Sequence, residues 1–273
     1  MELWFILLLF VGLSLIGFIC YKIQFNRKIN IILEKTIQQS SKGSKYIPKN
    51  IYQLIADKNN IHPEFKKNIE YIKKTNPEWK HILYDDNDIL IYIKNNYPQY
   101  ILDTYNRINI NYGAARADFF RYLLLYKEGG VYLDIKSSMS YPLNHVIKEN
   151  DEFILAHWPC VCHKNLLSNK FGEFQQWHII CKPHHPYLKA VIDNVVKNIN
   201  NYDLDTYGTG KLAVLKITGP IAYTESIKPI LQNHNHVIYE MNEHIGLIYN
   251  NIKNYKNNFN KKHYSQLTEP VIL

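Results

Sequence analysis

The stretch from Gly113 to Lys136 narrows the possible folds more than any other part of the chain. Gly113 to Lys127 has the composition of a strong helix, and Gly129-Gly130 stands where a helix closes and the chain reverses. The apolar run Val131-Tyr132-Leu133-Asp134 follows at once and reads as a short buried strand. A helix reversing tightly into a strand is the repeating unit of α/β architecture. The alternation continues on both sides. Ile51–Ile55 and Trp79–Tyr84 read as strands, with a helix opened by Pro63 between them that places Phe65, Ile69 and Ile72 on one face. Asp85-Asp86 can cap a helix beginning near Asn87. Phe153–His157 and Trp177–Cys181 read as further strands. Pro186–Ile199 reads as an amphipathic helix with Leu188, Val191, Ile192, Val195, Val196 and Ile199 inward. Thr218-Gly219-Pro220 turns into another helix, and the polar last segment reads as irregular. The expected fold class is α/β, a Rossmann-like, mostly parallel sheet flanked by helices, in one domain over 46–273.

The same stretch carries the chemistry. Asp118 and Arg121 are three residues apart on a helix and share a face. On an ordinary helix such a pair is a surface ion pair worth a few tenths of a kcal/mol, roughly 0.2–0.5. Here the helix leads through two glycines to a strand ending in Asp134, and open α/β sheets bind ligands beyond the carboxyl ends of their strands. Acid, guanidinium and strand-tip carboxylate are therefore expected at one point.

The run Ala114 to Asp134, with Ala114, Asp118, Arg121-Tyr122, Tyr126, Gly129-Gly130, Tyr132 and Asp134 in register, resembles glycosyltransferase family 32, which carries a D-x-D motif. Ile47-Pro48-Lys49-Asn50-Ile51-Tyr52-Gln53, Asn76-Pro77-Glu78-Trp79, Tyr84-Asp85-Asp86, Cys181-Lys182-Pro183-His184-His185-Pro186 and Thr218-Gly219-Pro220 are similar to other family segments in the same order. The resemblance implies a GT-A-type fold and a transferase that moves a hexose from a UDP- or GDP-sugar to a glycan, protein or lipid hydroxyl with retention of configuration. It also implies roles: Asp118 and Arg121 on the donor sugar's hydroxyls, Asp134 and Tyr132 at the donor, Gln53 along the nucleotide base, and His263 beside the diphosphate. Asp134 and His263 are the candidate ligands for Mn²⁺ or Mg²⁺. The chain departs from the family at one point. Asp134-Ile135-Lys136 stands in place of D-x-D, and an ammonium cannot ligate a hard cation. Lys136 can instead be a fixed cation for the leaving diphosphate, or mark a sugar-nucleotide binder that no longer turns over.

Trp4–Tyr21 contains no charged residue and at 1.5 Å per residue spans about 27 Å, enough for one membrane crossing with aromatic ends. The expectation is a retained anchor over 1–21, because the leader lacks the basic residues of a signal peptide, and a basic stem over 22–45. Lys22, Arg27, Lys28 and Lys35 follow the span, which favours a cytoplasmic soluble part; a Golgi or ER lumenal placement is the alternative. The absence of any N-x-S/T sequon among 30 Asn points the same way.

The formal charge of +8 suits an anionic ligand, yet no recognition-helix or finger pattern accompanies it, and no nucleic-acid partner is expected. His157, Cys160, Cys162, His163, His178, Cys181, His184 and His185 crowd one region and are zinc-ligand types, although their spacing matches no standard site.

Overall fold

A computed structural model describes residues 45–158, 167, 172–252 and 263–273. The expected anchor, all but the last residue of the stem, and Cys160, Cys162 and His163 lie outside these residues. Among the described residues no helix is long and apolar enough to cross a membrane.

The strands are β1 (Asn50–Leu54), β2 (Lys80–Tyr84), β3 (Gly130–Leu133), β4 (Ser138–Met139), β5 (Phe153–Ala156), β6 (His178–Cys181), β7 (Val237–Tyr239) and β8 (Leu247–Ile248). The helices are α1 (Pro63–Thr75), α2 (Asp86–Asn96), α3 (Gln99–Asn106), α4 (Gly113–Glu128), α5 (Leu143–Val146), α6 (Pro186–Asn200), α7 (Leu204–Tyr207), α8 (Gly210–Ile217) and α9 (Pro220–Ile227). Six strands form one sheet in the order β2-β1-β3-β6-β5-β7, and β4 pairs with β8 in a separate ladder. Strands β1, β2, β3, β5 and β7 run one way; β6 alone runs against its neighbours β3 and β5. The sheet is mixed and mostly parallel.

Its two faces bury different layers. Tyr52, Leu54, Tyr132, Ile179 and Cys181 pack against α4 and α6, while Ile51, Val131, Leu133 and Ile180 pack against Ile72 of α1 and Leu143 of α5. Covering both faces explains why β3 and β6 are apolar at nearly every position and show no alternation.

Local chemistry sets the boundaries. Pro63 opens α1, and Phe65, Ile69 and Ile72 are buried on one face as the periodicity requires. Asp85 and Asp88 form a reciprocal capping box at the start of α2. α6 buries Leu188, Val191, Ile192, Val195 and Ile199; Val196, expected inward, is half-buried at the edge of that face. Both glycines after α4 are required by space and by backbone. Gly129 has φ +62°, and a Cβ there would lie 2.6 Å from Pro183; Gly130 has φ +92°, and a Cβ would lie 2.8 Å from the carbonyl of Asn50. These contacts bring the turn between α4 and β3 directly against β1 and the segment after β6.

α4 is unlike the other helices. Ala115 and every residue from Asp118 to Leu125 are buried, so its middle runs through the interior with Asp118 and Arg121 enclosed. The chain end also differs from expectation. Val271 and Ile272 are buried, Ile272 bridges to Ile108, and the Tyr112 hydroxyl donates to the carbonyl of Glu269 at 2.6 Å. Two apolar residues are too short a run to show any period, so this docking leaves no pattern in the sequence.

Candidate active site

Asp134 follows β3 and is held at both ends of its peptide unit. Its N–H donates to the carbonyl of Trp177 at 2.9 Å, and its carbonyl accepts from Ser137 N–H at 2.8 Å and from Gln53 Nε2 at 3.3 Å. The Tyr132 hydroxyl donates to Asp134 Oδ1 at 2.8 Å. With its backbone fixed this way, the carboxylate stands at the strand tip with its side chain 33% exposed.

Arg121 projects from α4 toward the same point. Its Nη2 lies 3.2 Å from Oδ1 of Asp118 and 3.2 Å from Oδ1 of Asp134. Nη1 donates to the carbonyl of Gln176 at 2.9 Å and to its Oε1 at 2.6 Å, and the guanidinium lies 4.5 Å from the centroid of the Tyr132 ring. Asp118 is equally engaged: Gln176 Nε2 donates to Oδ1 at 3.0 Å and Thr218 Oγ1 to Oδ2 at 3.1 Å. Asp118 and Arg121 are each 4% exposed, so this is a buried ionic network and not the surface pair that the i,i+3 spacing alone describes.

The electrostatics follow from enclosure. Burial pushes the Asp118 carboxyl up to about 6, against the pull of Arg121 and the hydrogen bonds from Gln176 and Thr218. Burial also opposes the charge on Arg121, but Tyr132, Asp134 and Asp118 outweigh it and hold the guanidinium ionised. A permanent cation with two anions on one side is a rigid, polarised wall.

The remaining expected residues divide into two groups. Gln53 and Tyr132 belong to the support beneath Asp134. Gln53 is fully buried, its Oε1 2.9 Å from His81 Nε2 and its amide on the Asp134 carbonyl, so it is enclosed in the place where a surface along the nucleotide base was expected. Lys136 and His263 belong to an outer rim. His263 is exposed, with Nδ1 2.7 Å from the Ser265 hydroxyl, and its pKa is lowered by partial burial and by the positive charges of Lys136 and Lys211. Lys211 opens α8, whose Gly210 packs against the carbonyls of the 264–267 segment. Positive charges from two other segments, Lys136 after β3 and Lys211 in α8, therefore act on His263 at the rim. Tyr264, next to His263, has its hydroxyl pKa pushed to about 12 by burial and by the charges of Asp118 and Asp134. The rim and the buried network thus adjoin.

This donor set does not fit a hard divalent cation. Among the described residues no three His, Cys, Asp or Glu side chains come together as a metal group. Asp134 already accepts from Tyr132 and pairs with Arg121, Asp118 is turned into its own network, and the position that would supply a second carboxylate is Lys136. Of the described zinc candidates, His184 packs edge-on against Tyr126, His185 caps α6 and Cys181 lies in the core against the carbonyl of Leu125, while the His178 ring is buried with no hydrogen-bond partner among the described residues.

Residues 62–153 match the family model described as glycosyltransferase sugar-binding region containing DXD motif. That match supports the resemblance to glycosyltransferase family 32 over this stretch of the chain. It is 27% identical to the initiation-specific alpha-1,6-mannosyltransferase of Candida albicans over 77% of this chain and 61% of that protein. It is 27% identical to inositol phosphoceramide mannosyltransferase 3 of Schizosaccharomyces pombe over 78% and 53%, and 33% identical to a mannosyl phosphorylinositol ceramide synthase of Saccharomyces cerevisiae over 64% and 40%. The match thus spans about three fifths or less of these relatives' lengths. Among solved structures, the PaToxG glycosyltransferase overlays with a TM-score of 0.49 and 17% identity, covering 76% of this chain and 77% of that one.

Gln176, Lys211, Tyr249 and Tyr264 lie around the expected residues and carry no signal of their own in the sequence. Gln176 bonds to both Arg121 and Asp118 from 55 and 58 residues away, a separation over which no local pattern operates. Thr218 belongs to the turn before α9, and its hydroxyl reaches Asp118 from 100 residues away.

Proposed function

We propose that this chain is a transferase that moves a hexose, mannose in the first instance, from a nucleoside-diphosphate sugar to a hydroxyl acceptor. The observation that carries the reading is Arg121 held between Asp118 and Asp134 at the tip of β3. A hexose offers several hydroxyls that both donate and accept, and a fixed guanidinium flanked by carboxylates meets both needs in one place. The kinship to mannosyltransferases supports mannose, and GDP-mannose is accordingly the first donor to test.

The leaving diphosphate carries the charge that must be stabilised as the glycosidic bond breaks. The gathering of Lys136 and Lys211 charge around His263 supports a role for these three residues in receiving it. A lysine ammonium acts as a point cation on phosphate, so Lys136 takes over the electrostatic task that a second D-x-D carboxylate would delegate to a metal. In the retaining course implied by the family, the acceptor hydroxyl attacks the face from which the diphosphate departs, and a departing phosphate oxygen takes its proton. The protein's share is orientation and charge, with Asp118 and Arg121 fixing the sugar and the rim cations receiving the phosphate. We further propose a GT-A-type domain over 46–273 carried on an N-terminal membrane anchor and basic stem. The flanking charges favour the cytoplasmic side, with a Golgi or ER lumen as the alternative.

The test is a screen of GDP-mannose, UDP-glucose and UDP-galactose on the full chain in detergent, with and without EDTA. Release of nucleoside diphosphate from one donor, persisting in chelator and lost in Asp134→Ala, is the expected result. Turnover that chelator abolishes and Mn²⁺ restores would overturn the role given to Lys136. Lys136 also sustains a second reading, a sugar-nucleotide binder without turnover, for which saturable donor binding with no release or transfer is the signature.

A further inference from the structure

The end of the sheet that carries Asp134 has a second, aromatic half. β6 runs against β3, so Trp177, just before β6, lies at the same end as Asp134, and its carbonyl accepts from the Asp134 N–H at 2.9 Å. Trp158 follows the end of β5, which runs parallel to β3. Between the two indoles sits Tyr249, immediately after β8. Its ring centroid is 5.0 Å from Trp158 in an edge-on arrangement and 5.2 Å from Trp177. Trp177 is buried and its indole donates to Gln175, whereas Tyr249 is 48% exposed. The Trp158 indole N–H is enclosed and finds no hydrogen-bond acceptor among the described residues.

Which side of the strand tip this cluster occupies follows from register. Tyr132, whose hydroxyl reaches Asp134, belongs to the sheet face covered by α4. Trp177 belongs to the core on the opposite face, and Tyr249 follows the strand paired to β4 on that side. The network of Asp118 and Arg121 therefore bounds one side of the tip and Tyr249 the other. Charge links the two sides, because the Tyr249 hydroxyl pKa is raised by burial and by Asp134.

We infer that Tyr249, backed by Trp158 and Trp177, is a stacking platform for a sugar ring of the acceptor. This rests on the transferase reading above, which gives the α4 side to the donor hexose. A pyranose ring has one apolar C–H face and a polar hydroxyl edge. The half-exposed Tyr249 ring suits the first, and its hydroxyl edge lies toward Asp134. A rigid aromatic backed by two others contributes contact area at little entropic cost, which makes it a determinant of acceptor specificity.

The experiment uses the full chain in detergent, GDP-mannose as donor and methyl α-D-mannopyranoside as acceptor probe, and reads transfer and donor hydrolysis separately. For Tyr249→Ala the ratio of transfer to hydrolysis is expected to fall about tenfold or more through a raised acceptor KM, while Tyr249→Phe stays within about threefold of the wild type. The inference is overturned by an unchanged ratio in Tyr249→Ala. A fall in Tyr249→Phe as deep as in Tyr249→Ala would also overturn it, since the hydroxyl and not the ring face would then matter. A Tyr249→Ala variant that loses GDP binding in proportion to transfer makes this a base platform and overturns it too. Should the wild type release nothing from any sugar nucleotide, the transferase reading fails by itself. Saturation-transfer NMR of methyl α-D-mannopyranoside then still decides the platform: ring-proton signals seen with the wild type and lost in Tyr249→Ala uphold it, and no signal with the wild type overturns it.

Discussion

The two halves of the site are built on opposite principles. Around Arg121 every strong donor has a partner, and the charges are almost wholly enclosed; at the rim Lys136 and Lys211 act on His263 from two other segments. The first arrangement is tied into the fold, because removing one member strands a buried charge. The second gathers positive charge from separate segments at the edge of the site. Enclosed charge and rim charge are thereby separated in space, and substitutions in the two regions should have different signatures.

Arg121→Met should produce the largest effect. It leaves Asp118 buried without its cation, a loss of about 3–5 kcal/mol in urea unfolding, together with loss of donor turnover. A rim substitution, Lys136→Ala, that destabilised the fold as much would break the comparison. Asp134→Asn comes next, with the side chain one-third exposed and its backbone contacts retained. Donor hydrolysis should drop about 10²–10³-fold while unfolding changes by no more than about 1 kcal/mol. Lys136→Asp sharpens the contrast further. It should leave the melting temperature nearly unchanged and turn chelator-resistant hydrolysis into hydrolysis that requires Mn²⁺, read by EDTA titration and metal add-back.

The smallest effect concerns pH. Burial lowers His178 to about 3 and, helped by Lys73, His81 to about 4, each from an ordinary 6.5. The unfolded chain therefore takes up protons first. The stability these groups confer is complete above about 6.5 and declines as pH falls toward 4, at about 1.4 kcal/mol per pH unit per histidine. Asp118 acts in the other sense, since its folded value is raised to about 6 and its stabilising proton is lost as pH rises from about 4 to 6. The histidines outnumber it, so net stability should fall on acidification, and His178→Phe should flatten the slope in denaturant midpoints measured between pH 4 and 7.

Most of the fold was legible because the signals are local. Pro63 before an apolar stripe, the Asp85 cap, and Gly129-Gly130 between helix and strand each concern neighbours in the chain, and each stands where the sequence places it. The site was legible in its members and less so in its construction. Asp118, Arg121 and Asp134 do meet, but Gln53 proved to be a support beneath the strand tip, and Gln176 and Thr218, which complete the network, carried no signal of their own. Short buried strands such as β8 and the docked Val271-Ile272 are shorter than one period of any pattern.

By itself the sequence determined where helices and strands begin, that a helix-borne acid and guanidinium face a strand ending in a carboxylate, and that Lys136 replaces an acid beside it. Those are consequences of backbone sterics and of short spacing along one element. Only the tertiary structure decided that the Asp118–Arg121 pair is buried, that β6 runs against its neighbours and carries Trp177 to the strand tip, and that Lys211 and His263 come near Lys136. Such facts depend on contacts between segments up to a hundred residues apart, where desolvation and packing of the whole core set the outcome and no local preference records it.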